Sequence, residues 1–391
     1  MIRRQHVAAD FFPEAEAMRA AYDEKVGNAY RQAIEWQYFC DPRMYTYLRT
    51  APQQVFAQPL WRRFDRHLRQ WCMEHAGLVP TGEPNLHLMV NGCTLGLHSD
   101  FQNGTLGFVY SLTRWESRKF AGGETLLMRD GVPSYRKHHV QGEVLYELVP
   151  ARFNQLLLFD DRIVHGTPII QGSMDPLEGR IALVGHLRAA SPVVTAGPLD
   201  EAAAREVIAG FHRSLAQPLK PFKEVQGVTS LRLAVAADGR VESVEVLTDN
   251  FVTAQSGYEA DDDVAAARAL VLDAAAKLRF PGAGGPSKLI APVLLPLPDL
   301  RPVEIVVAHA GQAAVLREAL KAQLKEGEAL GFRVEVQGDS FAVREPLAGT
   351  IRIESHRIVA FFDAPMWVPS QREHFQAALA EKLGMLARYA G

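Results

Sequence analysis

Three side chains with metal-binding chemistry fall in a pattern that β-strands can use. His98 and Asp100 are separated only by Ser99, and His165 follows the apolar run Leu156, Leu157, Leu158 and Phe159. In an extended chain residues i and i+2 share a face while i+1 points away, so His98 and Asp100 converge and Ser99 turns aside. The apolar run reads as a buried strand that delivers His165 from elsewhere in the fold. Two imidazoles and one carboxylate suit one face of an octahedral Fe(II) ion and leave the other face open to small ligands. Arg180 opens a further strand-like stretch, Ile181, Ala182, Leu183, Val184 and Gly185. A guanidinium binds a carboxylate bidentately and keeps its charge at working pH, so the pattern predicts a metal centre with an anchor for an acidic ligand.

The ordered set extends beyond these four residues. Val90, Asn91, Gly92, Cys93, Thr94, Leu95, Gly96 and Leu97 lead into His98 and Asp100. The strand-like Gly107, Phe108, Val109, Tyr110, Ser111 and Leu112 follows, then Gly122, Gly123, Glu124 and Thr125. Leu158, Phe159 and Asp160, then Val164, His165 and Gly166, and finally Gly179 and Arg180 complete it. Over residues 30 to 190 this resembles the Fe(II)/2-oxoglutarate-dependent dioxygenases, and among them the prolyl 4-hydroxylase-like branch. The resemblance implies that His98, Asp100 and His165 hold Fe(II) and that Arg180 binds the distal carboxylate of 2-oxoglutarate. It also implies O2 as cosubstrate and ascorbate as a candidate reductant. Two features depart from that pattern. Met174, Asp175, Pro176, Leu177 and Glu178 lengthen the step from His165 to Arg180, and His87, Leu88, Met89 and Val90 stand where many relatives have a tyrosine. Tyr110, Ser111 and Asn91 are therefore the candidates for the second oxoglutarate contact.

Each residue also has a plainer reading. Any one of His98, Asp100 or His165 alone reads as a hydrogen-bonded polar residue near a strand end, and Arg180 alone as a surface partner of Glu178 or Asp175. Gly122 and Gly123 fit a turn as well as a functional loop. Arg129 to Glu143, with Arg136, Lys137, His138 and His139, reads as a rim loop. Adjacent histidines in extended chain point to opposite faces, so His138 and His139 are poor joint ligands. His186 shares strand parity with Arg180 and fits either a cavity wall or a satisfied core histidine; His87 is open in the same way.

A chain of 391 residues is long enough for two or three domains. Its 48% hydrophobic and 22% charged residues describe a globular protein, and a net charge of -3 gives no general reason to bind nucleic acid or an anionic membrane. Cys40, Cys72 and Cys93 are odd in number and widely spaced, which fits neither a disulfide framework nor a zinc cluster. With no apolar run of signal or spanning length, the expected location is the cytoplasm.

The elements that must position the site follow from periodicity. Residues 13 to 35 and 54 to 77 read as helices; in the second, Val55, Leu60, Phe64, Leu68 and Trp71 form an apolar stripe that Gly77 ends. From Leu86 to Leu187 short strands alternate with Gly, Asp and Asn turns. The fold class is α+β: an N-terminal double-stranded β-helix (jelly roll) with flanking helices, residues 1–190, carries the metal in its mouth. A helical connector occupies 191–219. A small α+β domain, 220–300, opens with the strands Thr229–Val235 and Val241–Leu247; it resembles the C-terminal domain of TonB-like proteins. An α+β accessory module fills 301–391, with a strand at Val303–Ala308 and helices at Gln312–Gly327 and Gln371–Tyr389. Because no catalytic cluster falls after residue 220, a chain ending near residue 218 is expected to keep the chemistry.

By resemblance, then, the chain is a dioxygenase that hydroxylates an unactivated C–H bond of a peptide or protein residue, such as proline, or of an amino acid or other small molecule, releasing succinate and CO2. Two other readings use the same residues. Zn(II) would suit the three ligands for hydrolysis but leaves Arg180 without an acidic cosubstrate. A non-catalytic oxygenase-like scaffold, with the C-terminal module binding a partner, leaves the intact ligand set unexplained.

Overall fold

The computed structural model describes residues 1–389 except 29–33, 42–43, 102, 129–144, 254–257, 298–302, 329–332, 338–339, 346–348 and 363–368. The expected rim loop, Arg129 to Glu143, lies outside the described residues. Two compact units make up the chain, Met1–Val293 and Leu294–Gly391.

The apolar runs of the first unit become a twelve-stranded antiparallel sheet. Its strands follow the order Gln5–Ala8, Gln155–Asp160, Leu106–Ser111, Arg180–Ala189, Asn85–Met89, Tyr45–Thr50, Thr94–His98, His165–Thr167, Thr125–Met128 and Tyr146–Val149. Gln37–Asp41 and Leu78–Pro80 pair on its flanks. Strands far apart in sequence are neighbours, as in a jelly roll, and those next to the Gln5–Ala8 edge strand carry much of the core. All six residues of Leu106–Ser111 and all six of Gln155–Asp160 are buried. The sheet curls until its arms face each other. Arg180, on one arm, hydrogen-bonds Thr125 on the other, although their strands stand five places apart in the order. This curl makes an interior between the arms, and the site lies in it.

Two helices cover the outside. Ala15–Gly27 is shorter than the pattern predicts, and Gln58–Ala76 ends where Gly77 takes a left-handed φ of 62°. The buried stripe of the second helix is Trp61, Phe64, Leu68, Cys72 and Ala76. It shares Phe64 and Leu68 with the expected stripe, while Trp71 lies at its edge, stacked on His75 and His6. The insertion before Arg180 docks on the first helix. Arg19 donates to Leu177 O and Tyr22 to Pro176 O, so the extra residues bulge outward without displacing the strand that Arg180 begins.

Residues 191–293 add a second sheet to the same unit. Val193–Ala196, Ser287–Leu295, Val225–Val235 and Val241–Asp249 pair in that order, with Val252–Thr253 beside Val225–Val235. The expected hairpin around Asp238 and Gly239 is present, and the expected connector holds the helix Glu201–Leu215, capped by Asp200 Oδ1 accepting from Ala203 N at 2.8 Å. This sheet grips the end of the Gln58–Ala76 helix: Ser230 donates to Gly77 O at 3.0 Å and Thr248 to Ala76 O at 2.7 Å. Those carbonyls have no partner inside the helix, so the two hydroxyls satisfy them.

The Leu294–Gly391 unit has its own five-stranded antiparallel sheet, ordered Val303–Ala308, Arg357–Phe362, Gly349–Ile353, Ser340–Glu345 and Arg333–Gln337. Leu316 and Leu320 from the helix Ala313–Glu328, with Leu383 and Leu386 from Pro369–Tyr389, pack against Ile305, Ile351 and Ile358. Among the described residues, no helix of the chain is long and apolar enough to cross a membrane.

Candidate metal centre

His98 ends the strand Thr94–His98, and His165 opens the strand paired with it; the two are direct partners in the register. Their rings lie 4.4 Å apart. Asp100, two residues beyond His98, completes a group whose ligand atoms all lie within 4.8 Å of one another. Asp100 Oδ2 is 3.7 Å from His98 Nε2 and 3.4 Å from His165 Nε2. Both rings are oriented alike. His98 Nδ1 meets Gly96 O at 2.7 Å and His165 Nδ1 meets Ile163 O at 2.9 Å, in each case the carbonyl two residues earlier. A carbonyl only accepts, so each Nδ1 carries the proton and each Nε2 keeps its lone pair. Burial raises the Asp100 carboxyl, but His165, His98 and His186 outweigh it and hold the group below the ordinary carboxylate value.

These three side chains form part of the wall of a cavity of about 230 Å³, together with Arg180. Arg180 is 3% exposed, and among the described residues no carboxylate lies within 4.0 Å of its guanidinium. Its contacts are weak, Thr125 Oγ1 at 3.4 Å and Met89 Sδ at 3.6 Å, and among the described residues its Nε has no hydrogen-bond partner. Burial pushes its pKa down to about 10 against the pull of Glu124, which still leaves it cationic at neutral pH. A buried cation without a counter-ion costs several kcal/mol, roughly, so the position calls for an anionic ligand.

The sequence-based candidates for the second anion contact do not reach this cavity. Tyr110 points to the other face of its strand, where it packs against Phe11 and Phe64 and donates to Asn154 Oδ1 at 3.0 Å. Ser111 donates to Ala151 O at 2.7 Å, and Asn91 Oδ1 accepts from Gly172 N at 3.0 Å, so each is committed to holding a loop. Gly122 and Gly123 take left-handed φ values of 79° and 81° and serve a turn.

The walls around Arg180 come instead from Thr125, His87, Tyr47 and Arg49. His87 stacks on Tyr47 with ring centroids 4.7 Å apart, and burial, then Arg180 and Arg49, drives its pKa down to about 3. It is therefore a neutral imidazole beside two guanidiniums. The only sequence signal for it was strand parity with Met89; Tyr47 and Arg49 carried none, because their strand was not resolved from composition. His186, of open role in the sequence, also lines the cavity, with its Nδ1 3.0 Å from Asp161 Oδ2.

No family model matches the chain, and no curated protein does. Among solved structures, one that it resembles is a prolyl hydroxylase from Trichoplax adhaerens in complex with a hypoxia inducible factor peptide fragment. That likeness has 13% identity and a TM-score of 0.34, covering 46% of this chain and 82% of that one. A prolyl-4-hydroxylase of Pseudomonas putida gives 16% identity and a TM-score of 0.33 over 48% of this chain and 94% of that one. HygX of Streptomyces hygroscopicus, with nickel, 2-oxoglutarate and hygromycin B bound, gives 14% identity and a TM-score of 0.31 over 46% and 81%. All three likenesses have low identity and span under half of this chain, so its function is read from its own residues.

Proposed function

We propose that this chain is a non-haem Fe(II)- and 2-oxoglutarate-dependent oxygenase, with His98, Asp100 and His165 as metal ligands and Arg180 as the anchor of the oxoglutarate carboxylate. The observation that carries the reading is the pairing, in one cavity, of an imidazole–imidazole–carboxylate group with a buried guanidinium that, among the described residues, has no carboxylate within 4.0 Å. A hydrolytic Zn(II) centre would use the first half of that arrangement and leave the second idle. The donors fit iron: two imidazole nitrogens and one carboxylate oxygen lie within 4.8 Å of one another on the wall of the cavity, the donor set that suits Fe(II).

When bound, Fe(II) supplies the redox chemistry that turns 2-oxoglutarate, O2 and a C–H bond into succinate, CO2 and a C–OH group. The chain's own residues bind, orient and exclude. Arg180 meets the distal carboxylate, with Thr125 and neutral His87 as the nearby hydrogen-bonding side chains. Gly96 O and Ile163 O hold the two imidazoles in the metal-binding tautomer. Phe159 and Val109 wall the cavity with apolar surface and keep water out. The substrate is an amino acid, peptide or other small molecule presented at the cavity mouth, peptidyl proline being one member of that class.

The test is succinate formation from 2-oxoglutarate by the full chain with Fe(II), with a panel of peptides and metabolites screened by mass spectrometry for a gain of one oxygen. Fe(II)-dependent succinate that disappears in His165→Ala is the expected result. Neither succinate nor oxoglutarate binding to the Mn(II)-loaded protein would end the assignment.

A further inference from the structure

Asp161 is a carboxylate with no exposed surface, four residues before His165. Its backbone touches the ligand segment: Asp161 O accepts Asp100 N–H at 2.8 Å and Ser99 Oγ–H at 3.3 Å. Its side chain reaches the same ligand by a second route. Both carboxylate oxygens meet His186 Nδ1, at 3.1 and 3.0 Å, and the far side of that ring puts Nε2 4.0 Å from Asp100 Oδ2.

The neighbouring strand is shaped around this carboxylate. A Cβ on Gly107 would stand 2.7 Å from Asp161 Oδ1, and one on Gly104 would stand 2.8 Å from Asp161 Oδ2 and 2.6 Å from Leu187 O. Neither glycine has a left-handed φ, so the requirement is for space and not for backbone freedom. Gly107 interrupts a run that is otherwise apolar and buried, Leu106, Phe108, Val109 and Tyr110. Filling that gap with a methyl group and an apolar partner would be the cheaper way to build a core, since a buried carboxylate carries a desolvation cost that one hydrogen-bonded imidazole only partly offsets. Asp100 is held at Oδ1 by Asn103 Nδ2 at 3.1 Å, and its Oδ2 is the oxygen that faces His98, His165 and His186. The residue lies beyond the end of its strand, next to Phe101, which is 61% exposed, whereas His98 and His165 are each fixed through Nδ1.

We propose that Asp161 and His186 form a positioning pair for Asp100: Asp161 fixes the His186 ring so that its Nε2–H faces the Asp100 carboxylate and keeps it in the rotamer that meets His98 and His165. This rests on the metal-site reading above. The pair acts through Asp100 and touches neither oxoglutarate nor substrate. At 4.0 Å the His186–Asp100 contact is longer than a hydrogen bond, and outer partners of metal ligands are generally worth 10- to 100-fold, roughly, in metal affinity.

Co(II) titration of the full-length protein, without oxoglutarate or substrate, tests the pair through affinity and the visible absorption band of the bound ion. Asp161→Asn keeps the backbone contacts and removes the charge; His186→Phe keeps a ring of similar size at a partly exposed position and removes the hydrogen bonds. Both are expected to bind Co(II) about 10- to 100-fold more weakly with a shifted band, and the double variant no more weakly than the worse single one. Wild-type affinity and an unchanged band in folded His186→Phe would overturn the pair, even if Asp161→Asn fails to fold. Two Co(II) ions per wild-type chain would also overturn it, because Asp161 and His186 would then be ligands of a second ion. Wild-type protein that binds no Co(II) at all would instead overturn the metal site itself.

Discussion

Arg162 donates to the carbonyl oxygen of Asn250 at 2.5 Å, and so ties the segment that carries His165 to the sheet formed after residue 191. The same guanidinium reaches Gln226 O at 3.1 Å and grips the fully buried Asp160 carboxylate, which Arg4 also contacts. The second sheet therefore braces the segment of the proposed ligand His165 although it contributes no residue to the His98–Asp100–His165 group.

A chain ending near residue 218, expected from the sequence to keep the chemistry, should lose it. It removes both carbonyl partners of Arg162 and the hydroxyls on the Ala76 and Gly77 carbonyls. A chain ending after Leu295 keeps them and should bind Co(II) as the full chain does. In the full chain, Arg162→Leu should lower stability by about 3 kcal/mol, the usual scale for breaking a buried ion pair. Denaturant unfolding and Co(II) titration of the three proteins check this, and a folded, metal-binding 1–218 chain would refute it.

Arg180→Met should separate binding from stability. Removing a buried cation that, among the described residues, has no carboxylate within 4.0 Å stabilises the ligand-free protein by about 1 kcal/mol. The same change should raise the oxoglutarate concentration needed for succinate formation by more than about 100-fold and leave Co(II) affinity nearly unaltered. Thermal unfolding without ligand, beside an oxoglutarate titration, reads both effects. A destabilised variant with normal oxoglutarate affinity would make Arg180 an ordinary structural residue.

Tyr110→Phe should do the reverse. The hydroxyl contacts Asn154 on the face away from the cavity, so its loss should cost about 1 kcal/mol of stability. The oxoglutarate requirement should not change. His87→Phe, which keeps the stack on Tyr47, should raise that requirement several-fold. The two titrations together show which side of the sheet the cosubstrate occupies.

His212 gives a pH signature outside the site. Burial pushes its pKa down to about 4, against the pull of the Pro292 carbonyl that meets its Nε2 at 3.1 Å. In the unfolded chain the imidazole protonates near its ordinary value of about 6.5, so below that pH the unfolded state binds the extra proton. The contribution of His212 to stability is present above about 6.5 and is lost as pH falls toward 4, by up to about 1.4 kcal/mol per unit. His212→Phe should therefore be less stable than the wild type at pH 7.5 and should close much of that gap at pH 4.5. Denaturant midpoints of both proteins at the two pH values suffice; a pH-independent gap would show that folding leaves the imidazole pKa unshifted.

The sequence by itself determined the elements whose signal is local. The i, i+2 spacing of His98 and Asp100 put both on one face, the apolar run before His165 became a strand buried along its whole length, and the Val303–Ala308 strand fell as its β-branched pattern predicts. Arg180 was legible because a lone cation at the head of an apolar strand is costly wherever the strand goes. Only the tertiary structure decided which face of each strand is inside. Tyr110 and Val109 are adjacent, and the curl of the sheet, set by partners on other strands, turned Val109 toward the cavity and Tyr110 away from it. The same curl brought Thr125 to Arg180, the pairing of two adjacent strands brought His87 to Tyr47, and the packing set Asp161 into the space left by Gly104 and Gly107. These pairs are far apart along the chain, and one residue of register would undo each of them, so no local pattern could encode them.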